Sequence, residues 1–287
     1  SSAGPFGSEP LGSASSWRGS GSPSETSGMS LVDSHCHLNH PKLAADLNDV
    51  LCRAGLAGVS RMVVVGYDLS SSREAVSLAN AHPSVLAAVG VHPHEADQYD
   101  SRAADALAEL ARGDRVVAYG EVGLDYHYDH SPRPIQRATF ERQLDEAARL
   151  GLPVIIHSRE AADDTRAILS DYAPLAAGGV MHCYPYGADQ VDWVLEMGLH
   201  IGLTGIVTFP KGEEARQVAA CVPLDRLLIE TDAPYLAPAP YRGRTNEPAY
   251  VSIVAEAIGR VRGVDASEIA ATTTRNAGKL FGELIYA

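Results

Sequence analysis

His35 and His37 stand two residues apart in Leu31-Val32-Asp33-Ser34-His35-Cys36-His37, at the end of a short apolar run, Ser30 to Val32. In an extended strand, residues i and i+2 face the same way, so both imidazoles can reach one metal ion from the strand's end. A lone His-x-His is equally consistent with a polar turn after a strand. The rest of the chain decides, because four further apolar runs end on metal-ligating residue types: Glu121 after Val116 to Gly120, His157 after Val154 to Ile156, His182 after Gly179 to Met181, and Asp232 after Leu227 to Thr231. Continuous apolar runs of this length suit strands buried on both faces, as in a parallel sheet. Five such ends predict one shared metal site.

The elements that must bring those ends together follow from periodicity. A helical pattern at Leu43, Leu47, Val50, Leu51 and Ala54 stops at Gly55. Further strands are expected at Arg61–Val65, Val85–Val91, Val116–Glu121, Val154–His157, Gly179–His182, His200–Leu203 and Leu227–Asp232. Helices are expected near Ser72–Ala81, Arg102–Ala111, Pro134–Leu150, Ala161–Ser170, Ala188–Met197, Glu213–Cys221, Ala249–Val261 and Ser267–Phe281. Strands and helices in that alternation predict an α/β fold, a single (β/α)8 TIM barrel, with right-handed crossovers placing every strand's C-terminal end on one rim. A doubly wound open sheet would spread the same ends along a line too long for one centre. Gly120-x-x-Gly123 lacks the first glycine of a dinucleotide fingerprint and reads as a tight turn.

Composition bounds the rest. At 287 residues with 45% hydrophobic content, the chain can bury a substantial core, and no apolar segment approaches the roughly 18 residues of a membrane span. Residues 1–28 are rich in Ser, Gly and Pro and read as a disordered extension or tag, with Met29 as a candidate native start and 29–287 as the folded domain. No basic, apolar signal segment is recognisable there. Cys36, Cys52, Cys183 and Cys221 form no Cys-x-x-Cys pair, so free thiols in a reducing cytoplasm are the simpler expectation. Cys36 alternates with the histidines and should point away from the metal. The formal charge of −13 argues against a protein that coats duplex DNA with a basic face. An acidic body with a metal-filled mouth suits entry of a strand end, and nothing marks an obligatory protein partner.

Taken in order, Val32 to Leu38, Gly90-Val91-His92-Pro93, Gly120-Glu121-Val122-Gly123-Leu124-Asp125-Tyr126, His157-Ser158-Arg159, His182-Cys183, Glu230-Thr231-Asp232-Ala233-Pro234-Tyr235-Leu236 and the closing Asn276-Ala277-x-x-Leu280-Phe281 resemble the signature blocks of the TatD-type deoxyribonucleases. These are metal-dependent hydrolases of the amidohydrolase superfamily. The resemblance implies that His35, His37, Glu121 and Asp232 hold one divalent ion and that His157 and His182 hold a second, with Glu121 bridging. It also implies phosphate contacts from His92 and Arg159 and a 3′ to 5′ direction of cutting. Four neutral imidazoles and two carboxylates around two dications leave about +2, which suits a phosphodiester and its more highly charged transition state. The donor set suits Mn or Zn better than Mg alone. Asp232 is placed to take the proton of the attacking water.

Arg159 could instead form a rim salt bridge with Asp163 or Asp164, and His94, Asp125, Tyr126 and His127 read as loop and turn residues. Glu160, Tyr184-Pro185 and Tyr241 depart from the family's usual pattern at places where substrate could be read, and none removes a ligand. The leading expectation is a deoxyribonuclease acting on single-stranded or damaged DNA, with a role in repair or DNA turnover. An ester or amide hydrolase such as an aminoacyl-tRNA deacylase on the same barrel, or a metal-binding scaffold without turnover, are the alternatives.

Overall fold

The structure, a computed structural model, describes residues 30–287. The expected extension at 1–28 lies outside them. Eight parallel strands run in sequence order: β1 Leu31–Cys36, β2 Val59–Val65, β3 Val85–Val89, β4 Val116–Asp125, β5 Val154–Arg159, β6 Gly179–Met181, β7 Leu199–Leu203 and β8 Leu227–Ile229. Each pairs with the next, and helices fill the crossovers, giving the (β/α)8 barrel that the alternation predicts.

Alternation along each strand divides the apolar residues in two. Val32, Val63, Val65, Leu86, Ile155, Val180 and Leu228 fill the barrel interior, where Ala277, Leu280 and Phe281 of the last long helix, Ala266–Phe281, plug the end opposite the site. Leu31, Met62, Val64, Val85, Val154, Ile156 and Met181 face outward into the helical layer. Helix starts are capped as their sequences suggest: Asp68 and Ser71 form a reciprocal capping box before Leu69–Ala81, and the Asp100 carboxylate accepts from the Ala103 N–H. The 18-residue helix Arg133–Leu150 has Pro134 in its first turn and ends on Gly151 at φ 69°.

The seam between the last strand and the first is short. It is closed by backbone bonds from Asp232 N–H to His35 C=O (2.9 Å) and from His37 N–H to Ala233 C=O (2.7 Å). Side chains reinforce it: Ser34 Oγ donates to Ile229 C=O at 3.0 Å, and Thr231 donates to Asp33 from N (2.9 Å) and Oγ1 (2.5 Å).

Two expectations change. The helical pattern from Leu43 to Ala54 is broken into Pro41–Ala44 and Leu47–Leu56. Gly120 to Gly123 is no tight turn: β4 runs on to Asp125, with Gly123, Leu124 and Asp125 pairing with His157, Ser158 and Arg159. Gly123 is needed because a Cβ there would lie 1.9 Å from the His157 carbonyl oxygen at a φ of +141°. Among the described residues no helix is long and apolar enough to cross a membrane.

Gly123→Ala therefore has nowhere to put its methyl without parting β4 from β5. A loss of at least about 2 kcal/mol is expected in urea unfolding. An unchanged unfolding midpoint would contradict the close approach.

Candidate metal centre

The alternation that puts Ile155 and Val180 inside the barrel carries His157 and His182 inward one step nearer the C-terminal rim. There they meet His35 from β1, His37 just beyond it, Glu121 from β4 and Asp232 from the segment after β8. All six residues expected as ligands converge. Glu121 is their centre. Its Oε2 lies 3.4 Å from His35 Nε2 and 4.0 Å from His37 Nε2, while its Oε1 lies 3.0 Å from His157 Nδ1, 3.9 Å from His182 Nε2 and 3.6 Å from His92 Nε2. Asp232 Oδ1 is 3.5 Å from His37 Nε2 and 3.8 Å from both His35 Nε2 and His182 Nε2. Three overlapping groups are compact enough to hold an ion: His35, His37 and Asp232; His35, Glu121 and His182; His92, Glu121 and His157.

Whether these residues suit a cation depends on where their protons sit. His37 Nδ1 lies 3.1 Å from the Val65 carbonyl oxygen, which can only accept, so its Nε2 offers a lone pair to the site. His182 Nδ1 faces Glu230 Oε1 at 2.9 Å, and the Nε2 of His157 faces Asp125 Oδ2 at 3.0 Å, leaving the opposite nitrogen of each ring aimed inward. Nε2 of His35 and His37 are only 3.2 Å apart, and buried His35 Nδ1 has no partner. Inward lone pairs and two carboxylates crowded this closely call for positive charge between them.

Without an ion that charge must come from protons. Burial alone would lower every imidazole here. Against it, Asp232 holds His37 above the usual imidazole range, Asp125 and Glu121 do the same for His157, and Glu230 and Glu121 push His182 up to about 10. His35, buried beside His182, is lowered. Burial would raise the carboxyl of Glu121, yet the imidazoles of His92, His182, His157 and His35 hold it well below the carboxylate range.

His92 differs from the others. Its Nδ1 accepts the backbone N–H of His94 at 3.1 Å, and burial beside His157 keeps the ring well below the usual imidazole range. The neutral ring therefore carries its proton on Nε2, aimed inward as a donor and unsuited to ligation.

Arg159, at the exposed end of β5, makes no ion pair with Asp163 or Asp164 among the described residues. Its guanidinium lies over the Tyr128 ring, 4.9 Å from the centroid, while Asp164 is taken by Arg137 (3.1 Å) and the Tyr126 hydroxyl (2.5 Å). Of the departing positions, Glu160 pairs with His127 Nδ1 at 2.6 Å, buried Tyr184 donates to Gly187 C=O, and Tyr241 stacks on Tyr250. Cys36 points outward, 3.6 Å from Val63 C=O, and all four cysteines are free.

Sequence reasoning missed Asp125, read as a turn residue, and Glu230, not singled out. Both are fully or almost fully buried. Asp125 binds His157 and His94 through Oδ2, each at 3.0 Å, and through Oδ1 accepts the N–H groups of His127 and Tyr128. The spacing of Glu230 from Asp232, two residues in an extended segment, was the available signal.

A parallel eight-stranded barrel whose C-terminal rim gathers imidazoles and carboxylates of this kind is the architecture of the metal-dependent amidohydrolase superfamily. A family model described as TatD related DNase matches residues 32–282. The chain belongs to that family. It is 40% identical over 251 residues to the metal-dependent hydrolase YabD of Bacillus subtilis, covering 88% of this chain and 98% of that one. It is 38% identical over 257 residues to the 3′-5′ ssDNA/RNA exonuclease TatD of Erwinia tasmaniensis, covering 88% and 99%. The crystal structure of the TatD homologue YjjV of Escherichia coli superposes with a TM-score of 0.83 at 32% identity, covering 88% and 97%.

Ion loading must expel the protons that His37, His157 and His182 hold. Binding of Mn2+ should therefore release protons, and its apparent affinity should climb as pH rises towards the His182 value of about 10. Titration calorimetry in buffers of different ionisation enthalpy measures this, and proton uptake would contradict it. Glu230→Gln replaces the carboxylate facing His182 with a neutral amide and should weaken affinity about 10- to 100-fold.

Proposed function

We propose that this protein is a two-metal deoxyribonuclease that shortens single-stranded or damaged DNA from a free 3′ end. The observation that carries this reading is the carboxylate of Glu121, whose two oxygens face two different sets of imidazoles. One set is His35 and His37 with Asp232; the other is His157 and His182. Relatives named as 3′-5′ exonucleases support the direction of cutting and the substrate. Mn, Zn or Mg, two per chain, would polarise the phosphodiester and lower the proton affinity of the attacking water.

The chain's own groups divide the remaining work. Asp232, held ionised by His37, His182 and His35 against the effect of burial, takes the water's proton. Neutral His92 donates from Nε2 to a substrate oxygen beside Glu121, a role its tautomer supports. Arg159 grips a flanking phosphate with its planar fork. Asp125 and Glu230 hold the rings of His157 and His182 in place. Four free thiols support residence in a reducing compartment such as the cytoplasm.

Asp232→Asn keeps an oxygen donor but cannot take a proton, so turnover on a single-stranded oligonucleotide should fall about 10²- to 10⁴-fold. Arg159→Ala should act chiefly on KM. A linear strand with a free 3′ end should be shortened stepwise, whereas a covalently closed circle of the same sequence should resist. Rapid cutting of the circle would overturn end entry. Hydrolysis of aminoacyl esters or amides with inert DNA would overturn the substrate class.

A further inference from the structure

Tyr235 follows Asp232 by three residues and is about 50% exposed, one of the few large side chains with apolar surface open to solvent. Its backbone is held firmly. The Tyr235 N–H donates to Asp232 C=O at 2.8 Å, and its own carbonyl accepts from the amide of buried Asn246 at 2.6 Å. Asn246 also donates from its side chain to Thr231 C=O at 2.8 Å and from its backbone to Pro234 C=O at 3.1 Å, so the whole segment from Thr231 to Tyr235 is pinned.

Two imidazoles stand near the ring in T-shaped arrangements, His37 at a centroid distance of 6.3 Å and 70° and His40 at 5.7 Å and 74°. The other rim aromatics are differently engaged: Tyr128 lies under Arg159 and parallel to His130, and Tyr241 is stacked on Tyr250. Tyr235 is thus a half-exposed ring on a pinned backbone, with no aromatic ring stacked parallel on it among the described residues, standing beside the ligand His37 and the proton acceptor Asp232.

We infer that Tyr235 is a stacking platform for a nucleobase next to the scissile phosphate. This rests on the deoxyribonuclease reading above and adds the subsite that reads an unpaired base. A rigid aromatic face costs little ordering on binding and accepts any base, because each has a π face. A paired base in a duplex keeps its faces against its neighbours in the stack. The platform therefore selects an unstacked, single-stranded end.

The test uses protein loaded with Zn2+ and an oligonucleotide carrying 2-aminopurine near its 3′ end, with phosphorothioate linkages there to slow cutting. Stacking should quench the 2-aminopurine fluorescence on binding; Tyr235→Phe should keep the quenching and Tyr235→Leu should lose it. On an unmodified strand, Tyr235→Leu should raise KM about 5- to 150-fold, corresponding to the usual 1–3 kcal/mol of base–aromatic stacking, with kcat far less affected. The difference from the unsubstituted protein should vanish on a strand lacking the base at that position, which a merely structural role for Tyr235 would not produce.

Equal quenching and equal KM for Tyr235→Leu and the unsubstituted protein would overturn the platform, even if both degrade DNA. Quenching that depends on Tyr235 with no cutting of any strand would uphold the platform while removing the nuclease reading. Absence of quenching in the unsubstituted protein would overturn the platform as well.

Discussion

The site depends on how the barrel closes. Between β8 and β1 there is no continuous ladder, and the backbone bonds that join them belong to His35, His37, Asp232 and Ala233. The spacing of His35 and His37 from Asp232 is therefore set by peptide hydrogen bonds, which have little freedom. Asp232 occupies the left-handed region at φ 56°, a conformation costing a non-glycine residue of order 1–3 kcal/mol. Bonds on both sides sustain it, with the Asp232 N–H held by His35 and the Asp232 carbonyl held by Tyr235. Asp33, which burial pushes up to about 7 despite its bonds from Thr231, ties the same seam from beneath.

Orientation is fixed from outside the ring of donors. His37 and His157 each have the nitrogen that faces away from the centre engaged by a group on a neighbouring strand, Val65 of β2 and Asp125 of β4, while His182 Nδ1 lies within ion-pair distance, 2.9 Å, of Glu230 beyond β8. The Val65 carbonyl commits His37 to one tautomer, and the carboxylates beside His157 and His182 restrain their ring planes, which is what a metal ligand requires. Room for these partners is made by absent side chains. A Cβ on Gly202 would sit 2.6 Å from Glu230 Oε2, and one on Gly123 would strike the backbone beside His157. Glycines on β4 and β7 thus serve the centre without facing it.

This division explains what was legible in the sequence. Ligands at strand ends are announced by a local signal, an apolar run and then a His, Glu or Asp, and the barrel follows from the order of such runs. Partners in the second layer carry no such signal. Asp125 matters because β4 continues beyond Glu121 and pairs with β5 as far as Arg159, a register that depends on contacts between segments about 35 positions apart. Gly123 promotes a turn in isolation and a close strand approach in this context, and only the neighbouring strand distinguishes them. Arg159 was placed on the correct rim, but its cation–π contact with Tyr128 rests on a loop whose path the sequence pattern does not specify.

Burial then gives the centre a direction. His35, His37, Glu121 and His182 are almost wholly enclosed, whereas the side chains of Asp232 and His157 remain 15% and 18% exposed. These two stand at different strand ends, Asp232 beyond β8 and His157 on β5, so of the six expected ligands they are the ones most open to solvent. Tyr235 and Arg159 follow them in sequence, three residues after Asp232 and two after His157. On the proposed nuclease reading, a phosphate would approach the buried donors past these two side chains while the neighbouring parts of the strand lie along the rim.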